Sequence, residues 1–592
     1  MKEEIQKFFK GEIEDSEEIL KIYSHDASLF EVKPRLVLFP KDSEDIKKLV
    51  KWVNENKDKY TDSKLNEGWK ELSITARCAG TCMSGGDLGE SLILDFTKHM
   101  NKLVSFIPAN DFGAFALGDN RTGDQHDSQN HLPELRKNKI TVQPGMYYRD
   151  FEKTTLEKGL ILPCYTASKS LNAMGGMYGN NSAGERTLKY GKTENYIVEA
   201  KVIFGDGNEY IVKPLSETEL RAKISQNDYE GNIYKNIYEL IQKNKNEINN
   251  AKPKVSKNSA GYYVWNILGE NNSFFDLNKL LVGSQGTLGI VTEITFRLVE
   301  NPKYSKLVAV FMNDLEQLGR LVDEILLFKP ETVETYDDKT MKLAVKFFPD
   351  FLKNKGFIRM IKFMWSFLPE LWMMIIGGFP KLILLVEFAG ENEEEVNQQC
   401  VKLKEKLKNF KLKVHITKSE AEADKYWDIR RESFALLRKH VQGKRTAPFV
   451  DDIIVRPEFL PKFIPELNKI FSTYDLTYTI AGHAGDGNFH VIPLMDFNRE
   501  DTAKVIIELS DKVYDLVLQY HGSITAEHND GIIRTPYLEK MYGAHIISIF
   551  QEIKNIFDSK NIFNPGKKVG GTKEFLASHI IKPDHPKQDH RI

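Results

Sequence analysis

Two imidazoles flank a glycine-rich reversal in Gly482-His483-Ala484-Gly485-Asp486-Gly487-Asn488-Phe489-His490, and this stretch constrains the chain more than any other. In a straight strand residues seven apart face opposite sides, so His483 and His490 converge only if the glycines at 485 and 487 fold the backbone between them. Glu527-His528 sets a carboxylate and a third imidazole side by side in a second polar loop. Two His and one Glu with a position left open make a ligand set for a divalent metal, and a further His beside them can move a proton. A glycine turn with surface histidines is the plainer alternative, because composition alone does not bring Glu527 to the same place.

The rest of the composition narrows the class. A chain of 592 residues with 41% hydrophobic and 28% charged content is expected to be soluble and large enough for two or more cores. A formal charge of -2 gives no basic excess for nucleic acid. The start, MKEEIQKFFKGEIEDSEE, is too acidic and too weakly apolar for a secretory signal, so a cytoplasmic location is expected. Cys78, Cys82, Cys164 and Cys400 are too scattered for a disulfide framework or an iron–sulfur run. Cys78 and Cys82 read as small fillers in a glycine loop, with a redox pair as the alternative.

Three glycine-rich loops punctuate the first half. Strand-like Leu72-Ser73-Ile74-Thr75-Ala76-Arg77 runs into Ala79-Gly80-Thr81-Cys82-Met83-Ser84-Gly85-Gly86 and re-emerges at Ser91–Phe96. A loop of small residues exposes successive backbone N–H groups, which suits a pyrophosphate, although no helix clearly follows and no Gly-Lys-Ser/Thr appears. A tight turn between strands is the other reading. The second loop is Asn172 to Gly184, leading to a strand at 197–204 and a hairpin turn at Gly205-Asp206-Gly207. The third is Gly283-Ser284-Gln285-Gly286-Thr287-Leu288-Gly289-Ile290, ending in an alternating strand. Residues 105–138 read as a polar loop insertion with His126 and His131 solvated.

In this order the three loops resemble the FAD-binding domain of the vanillyl-alcohol oxidase/p-cresol methylhydroxylase superfamily. The His483-to-His490 motif, Glu527-His528 and Ile562-Phe563-Asn564-Pro565-Gly566-Lys567 are similar to its FAD-linked D-2-hydroxyacid dehydrogenase branch, acting on D-lactate, D-2-hydroxyglutarate or glycolate. The resemblance implies that Ala79, Gly80, Thr81, Cys82 and Ser84 surround the FAD pyrophosphate. Gly175, Gly176, Asn180, Ser182 and Gly184 would follow the flavin and ribityl chain, and Gly283, Gly286 and Ile290 would close over it. Members with covalent flavin often carry a His where Thr81 stands, so the FAD is expected to be non-covalent. His483, His490 and Glu527 inherit the role of ligands to a divalent metal such as Zn²⁺, Mn²⁺ or Fe²⁺. His528 inherits the role of proton acceptor.

A substrate carboxylate calls for an arginine fork. The Trp427-x-x-Arg430 pattern resembles the family's substrate-domain helix, making Arg430 the candidate, and Asn488 either orients a ligand, touches substrate or simply forms the turn. Relatives handling a second carboxylate often carry a Lys where Val450 stands, which favours D-lactate over D-2-hydroxyglutarate, although Lys444 and Arg445 lie just upstream. The Glu527-His528-Asn529 form resembles larger relatives with a fused iron–sulfur half. Electrons are therefore expected to leave to a quinone, an electron-transfer protein or oxygen. An apolar insertion at 346–378, rich in Phe and Trp but too short and broken to span a bilayer, reads either as a membrane-surface contact on the inner face or as a helical pair on the cap or at a homodimer contact.

The expected architecture is α+β: an extension at 1–19, a two-subdomain FAD-binding domain of p-cresol-methylhydroxylase type at 20–300, a substrate or cap domain with an antiparallel sheet at 301–544, a returning C-terminal helix at 545–570 and a tail at 571–592. The runner-up activity is a flavin transferase resembling alkyl-glycerone-phosphate synthase.

Overall fold

The computed structural model describes residues 1–60, 71–109, 138–269, 273–346, 380–440 and 444–582, with the side chains of 343–346 and 431–440 outside the description. The segment 346–378 and the two histidines at 126 and 131 therefore lie almost wholly outside the described residues, and the readings made of them stand as expectations.

Three main sheets carry the chain. In the first, the buried runs Leu36–Phe39, Leu92–Asp95 and Ile74–Arg77 pair in parallel, with Glu12–Glu14 added antiparallel at one edge. Strands this apolar need cover on both faces. The helix Ser43–Tyr60 covers one face by burying Ile46, Leu49, Val50 and Val53, and Leu20 of the helix Glu17–Tyr23 packs with Val37, Phe39 and Ile93 on the other. The N-terminal residues are not a separate extension: Ile5 and Phe9 are buried in the same core, because the apolar face of the opening helix has this sheet to pack on.

The second sheet is antiparallel, in the order Leu103–Ile107, Lys139–Val142, Ile290–Arg297, Ile197–Ile203, Glu209–Val212. Its last two strands form the hairpin expected around Gly205-Asp206-Gly207, with Gly207 at φ 73°. The third sheet has eight strands among the described residues. Its centre is Tyr304–Met312, Leu382–Gly390, Thr332–Asp337, Thr477–His483 and Asn488–Met495, all antiparallel.

The C-terminus ties the halves together. After the helix Leu538–Phe557, which is broken at Gly543, the chain returns to the first sheet, where Ile74 N donates to Ile562 O and Asn564 N donates to Ile74 O. The last stretch is also anchored, since Ile580 bridges Phe30 and both are buried. The α+β class and the antiparallel cap sheet are borne out.

Candidate active site

The two central strands Thr477–His483 and Asn488–Met495 form a hairpin closed by Ala484-Gly485-Asp486-Gly487, in which His483 pairs with Asn488 and Ala481 with His490. Directly paired residues and those two positions along lie on one face, so both imidazoles emerge together. Their ring centroids are 5.4 Å apart and nearly perpendicular. The glycines permit this. Gly487 sits at φ 73°, where a Cβ would lie 1.8 Å from Val455 O, while a Cβ on Gly485 would press on Leu188 and Val333. Gly487→Ala combines left-handed strain of about 1–2 kcal/mol with a backbone collision. Its thermal midpoint should fall by at least ~2 °C, with metal content reduced; an unchanged midpoint would show that the turn tolerates a side chain.

Glu527 and His528 arrive from the loop after the long helix Thr502–Gln519. His483 Nε2 lies 3.3 Å from Glu527 Oε1, and single donor atoms of His483, His490 and Glu527 all fall within 4.8 Å of one another. Each histidine is held from behind by a carboxylate: His483 Nδ1 by Glu334, His490 Nδ1 by Asp451 at 2.9 Å, His528 Nδ1 by Asp451 at 2.7 Å. Imidazoles that ligate metals are oriented in this way, through the nitrogen that does not bind. The donor set and its supporting carboxylates fit a divalent cation.

Cations outside the imidazoles complete the network. Arg430 pairs with Glu334, and Lys257, 1% exposed, bonds Glu527 Oε1 at 2.6 Å and Asp486 Oδ2 at 3.0 Å. Burial on its own would raise the carboxyl of Glu334, but Arg430 and His483 outweigh it and bring the group down to about 2. Asp451 is likewise held well below the carboxylate range against its burial by His528 and His490. For His483 and His528 burial pulls downward, and the facing carboxylates overcome it and raise each to about 9. Glu334, Asp451, Asp452 and Lys257 were not foreseen as site residues. Adjacent acids inside the apolar run Phe449–Val455 were the available signal, since buried charges need partners. The run makes only the short strand Ile453–Ile454.

These residues close one end of a cavity of about 580 Å³ whose walls come from the glycine-rich loops. Ala79, Gly80, Thr81, Cys82, Gly175, Gly176, Asn180, Ser182, Gly184 and Gly286 line it, together with Arg430, His483, His490, Glu527 and His528. A Cβ placed on Gly176 would meet nothing within 4 Å, so the loop leaves side-chain room to a ligand. No described residue accepts a hydrogen bond from the backbone N–H of Gly80, Thr81 or Cys82, and Asn172 Oδ1, in the wall, is buried without a partner. Such a cradle suits a phosphorylated cofactor.

Four expected residues do not line the cavity. Ser84 turns the other way and its carbonyl accepts from Ile532 N. Gly283 links two loops, with its carbonyl accepting from Asn529. Ile290 faces the apolar core beside Leu92 and Phe563. Asn488 donates to Asp452 Oδ1 and Ile453 O, both at 3.1 Å, so its amide supports the wall from behind. The second glycine stretch is also not wholly loop, because Met174–Asn180 is helical and ends at Asn181 in the left-handed region.

Residues 123–212 match the FAD binding domain family, and residues 301–568 match the C-terminal domain of FAD linked oxidases. The chain thus carries an FAD binding domain followed by the C-terminal domain of FAD linked oxidases. Among curated relatives, D-2-hydroxyglutarate dehydrogenase of Escherichia coli (strain K12) is 24% identical, aligned over 92% of this chain and 49% of its own length. Glycolate oxidase subunit GlcD of Bacillus subtilis (strain 168) is 26% identical over 92% and 91% of the two chains. D-lactate dehydrogenase of Anaerostipes hadrus is 23% identical over 93% of each. The chain spans about half the length of the first D-2-hydroxyglutarate dehydrogenases it matches. Substrate-bound p-cresol methylhydroxylase superposes with a TM-score of 0.59 at 14% identity, covering 94% of both chains. Alkyldihydroxyacetonephosphate synthase also superposes with a TM-score of 0.59 at 14% identity, covering 95% of this chain and 84% of its own. These two likenesses establish the p-cresol-methylhydroxylase type of fold.

Attachment of FAD through the first loop has poor nucleophiles at hand. Thr81 stands in the wall, and burial pushes the Cys82 thiol up to about 12. Acid precipitation should release all flavin into the supernatant; flavin fluorescence retained in the pellet would show a covalent bond. No helix among the described residues is long and apolar enough to cross a membrane.

Proposed function

We propose that the chain oxidises a small D-2-hydroxy acid, with D-lactate as first candidate, to the 2-oxo acid. One observation carries this reading: His483, His490, Glu527, His528 and Arg430 converge at one end of a glycine-walled cavity fitted to FAD. FAD bound in that cavity supplies a two-electron acceptor for the C2 hydride. His483, His490 and Glu527 would hold a divalent cation, which makes a chelated hydroxyl more acidic. Arg430, kept in place by Glu334 in the cavity wall, is the candidate to bind the substrate carboxylate. His528, in the form that carries a hydrogen on Nδ1 and none on Nε2, accepts the hydroxyl proton at Nε2, because Nδ1 is taken by Asp451.

Val450, wholly buried among apolar side chains, supports a substrate with a single carboxylate. D-2-hydroxyglutarate and glycolate, taken from the names of relatives, are the alternatives. Electrons pass on to a quinone or a protein acceptor.

The test is anaerobic flavin bleaching by D-lactate, D-2-hydroxyglutarate and glycolate in turn, on protein whose metal and FAD contents have been measured. D-lactate should bleach the flavin at the lowest concentration. If no acid bleaches it with metal and FAD present, the dehydrogenase reading fails, and a transferase on the same fold becomes the better account.

A further inference from the structure

Asp451 is fully buried, and its two oxygens are divided between two rings. Oδ1 faces His490 Nδ1 at 2.9 Å and Oδ2 faces His528 Nδ1 at 2.7 Å. An ionised carboxylate only accepts hydrogen bonds, so each Nδ1 must carry a hydrogen. Both rings are thereby turned the same way, with Nε2 directed away from Asp451. Their stacking fits this, with centroids 5.1 Å apart and planes inclined by 26°. The carboxylate cannot easily swing from this position. Arg534, itself wholly buried, bonds the carbonyl of Asp451 and that of Asn529, and the next residue, Asp452, fixes the backbone of His528.

We infer that Asp451 is the positioning residue for both histidines: one carboxylate sets the Nδ1–H form of the ligand His490 and of the base His528, so metal affinity and proton acceptance both depend on it. This rests on the reading proposed above for the two histidines. It goes beyond that reading by tying two functions to a residue that takes part in neither. An unshared arrangement, with a separate acceptor behind each ring, would let either function fail alone.

Asp451→Asn keeps the shape but offers one acceptor and one donor. The amide NH₂ must then oppose one Nδ1–H, and that ring has to turn over or lose its partner. In full-length, FAD-loaded protein the affinity for Zn²⁺, measured by competition with a chelator, should fall ~10–100-fold. In the Zn²⁺-loaded wild type, ¹⁵N resonances assigned with His490→Gln and His528→Gln should show a protonated Nδ1 on both rings, and in Asp451→Asn at least one should lose that signature. FAD content and thermal midpoint are measured on the same samples. Unchanged Zn²⁺ affinity together with unchanged ring signatures would overturn the inference. So would an unprotonated Nδ1 on His528 in the wild type, which needs no variant to fold. A wild type that binds no Zn²⁺ and no Mn²⁺ would instead overturn the metal reading, and the ¹⁵N pattern of the metal-free protein would then decide the role of Asp451 by the same criterion.

Discussion

His528→Asn is expected to leave FAD bound and to slow flavin reduction by D-lactate by ~10²–10⁴-fold, the usual contribution of a positioned general base. The glycine loops hold the cofactor end of the cavity and do not depend on this ring, so cofactor content should not change. Asn can still meet Asp451 with its NH₂ group but presents no basic nitrogen to the cavity. Anaerobic stopped-flow absorbance of the oxidised flavin checks both halves of the expectation. Reduction within tenfold of wild type in protein carrying full FAD and metal would remove His528 from the chemistry.

The second large effect is expected away from the cavity surface. Asp452 Oδ2 accepts from Thr525 Oγ1 at 2.6 Å and from the backbone N–H groups of Ala526, Glu527 and His528 at 2.9, 2.8 and 2.7 Å. Oδ1 meanwhile accepts from Asn488. The residue does this from φ 72°, a conformation that favours glycine. Asp452→Ala leaves the N–H groups of Glu527 and His528 without this acceptor, at about 1–3 kcal/mol each before water or local shifts compensate, while Ala526 N keeps the backbone carbonyl of residue 452 at 3.1 Å. A net loss of about 3–5 kcal/mol is expected, comparable with breaking a buried ion pair. The thermal midpoint should drop by roughly 10 °C, and metal should be lost because Glu527 is no longer held. Asp452→Gly relieves the left-handed backbone and should recover only about 1 kcal/mol of that. If the glycine variant instead matches wild type, the hydrogen bonds are dispensable and strain dominates.

What could be read from residues alone follows from which interactions are local. The hairpin of His483 and His490 was legible because its glycines and its imidazoles lie within nine residues, and the turn at 205–207 for the same reason. The three glycine loops were legible as a set because each carries its own backbone signature. Glu334, Asp451 and Lys257 were not, since each acquires its role from a partner far away in the chain: His483, His528 and Glu527 respectively. Asn488 was misjudged for a related reason. Its position in the turn is local, but the direction of its amide is set by Asp452, which no spacing rule connects to it. Ser84 and Gly283 belong to glycine loops by sequence, and only the packing of the segment 529–533 against them decides that they face away from the cavity.

Among the described residues six lysines are almost wholly enclosed: Lys192, Lys257, Lys425, Lys554, Lys567 and Lys568, none more than 4% exposed. Four of them point their ammonium groups at backbone carbonyls where distant segments cross, as Lys192 does at Asn258 and Ala526 and Lys568 does at Ser259 and Gly261. Burial lowers Lys192 and Lys567 to about 8, so a sizeable fraction of each is uncharged and nucleophilic near neutral pH once a reagent can reach it. In the folded protein none can. Acylating reagents will therefore mark the exposed lysines at once and these four only when the crossings open, which makes their labelling a residue-by-residue clock for the parting of the segments that meet there.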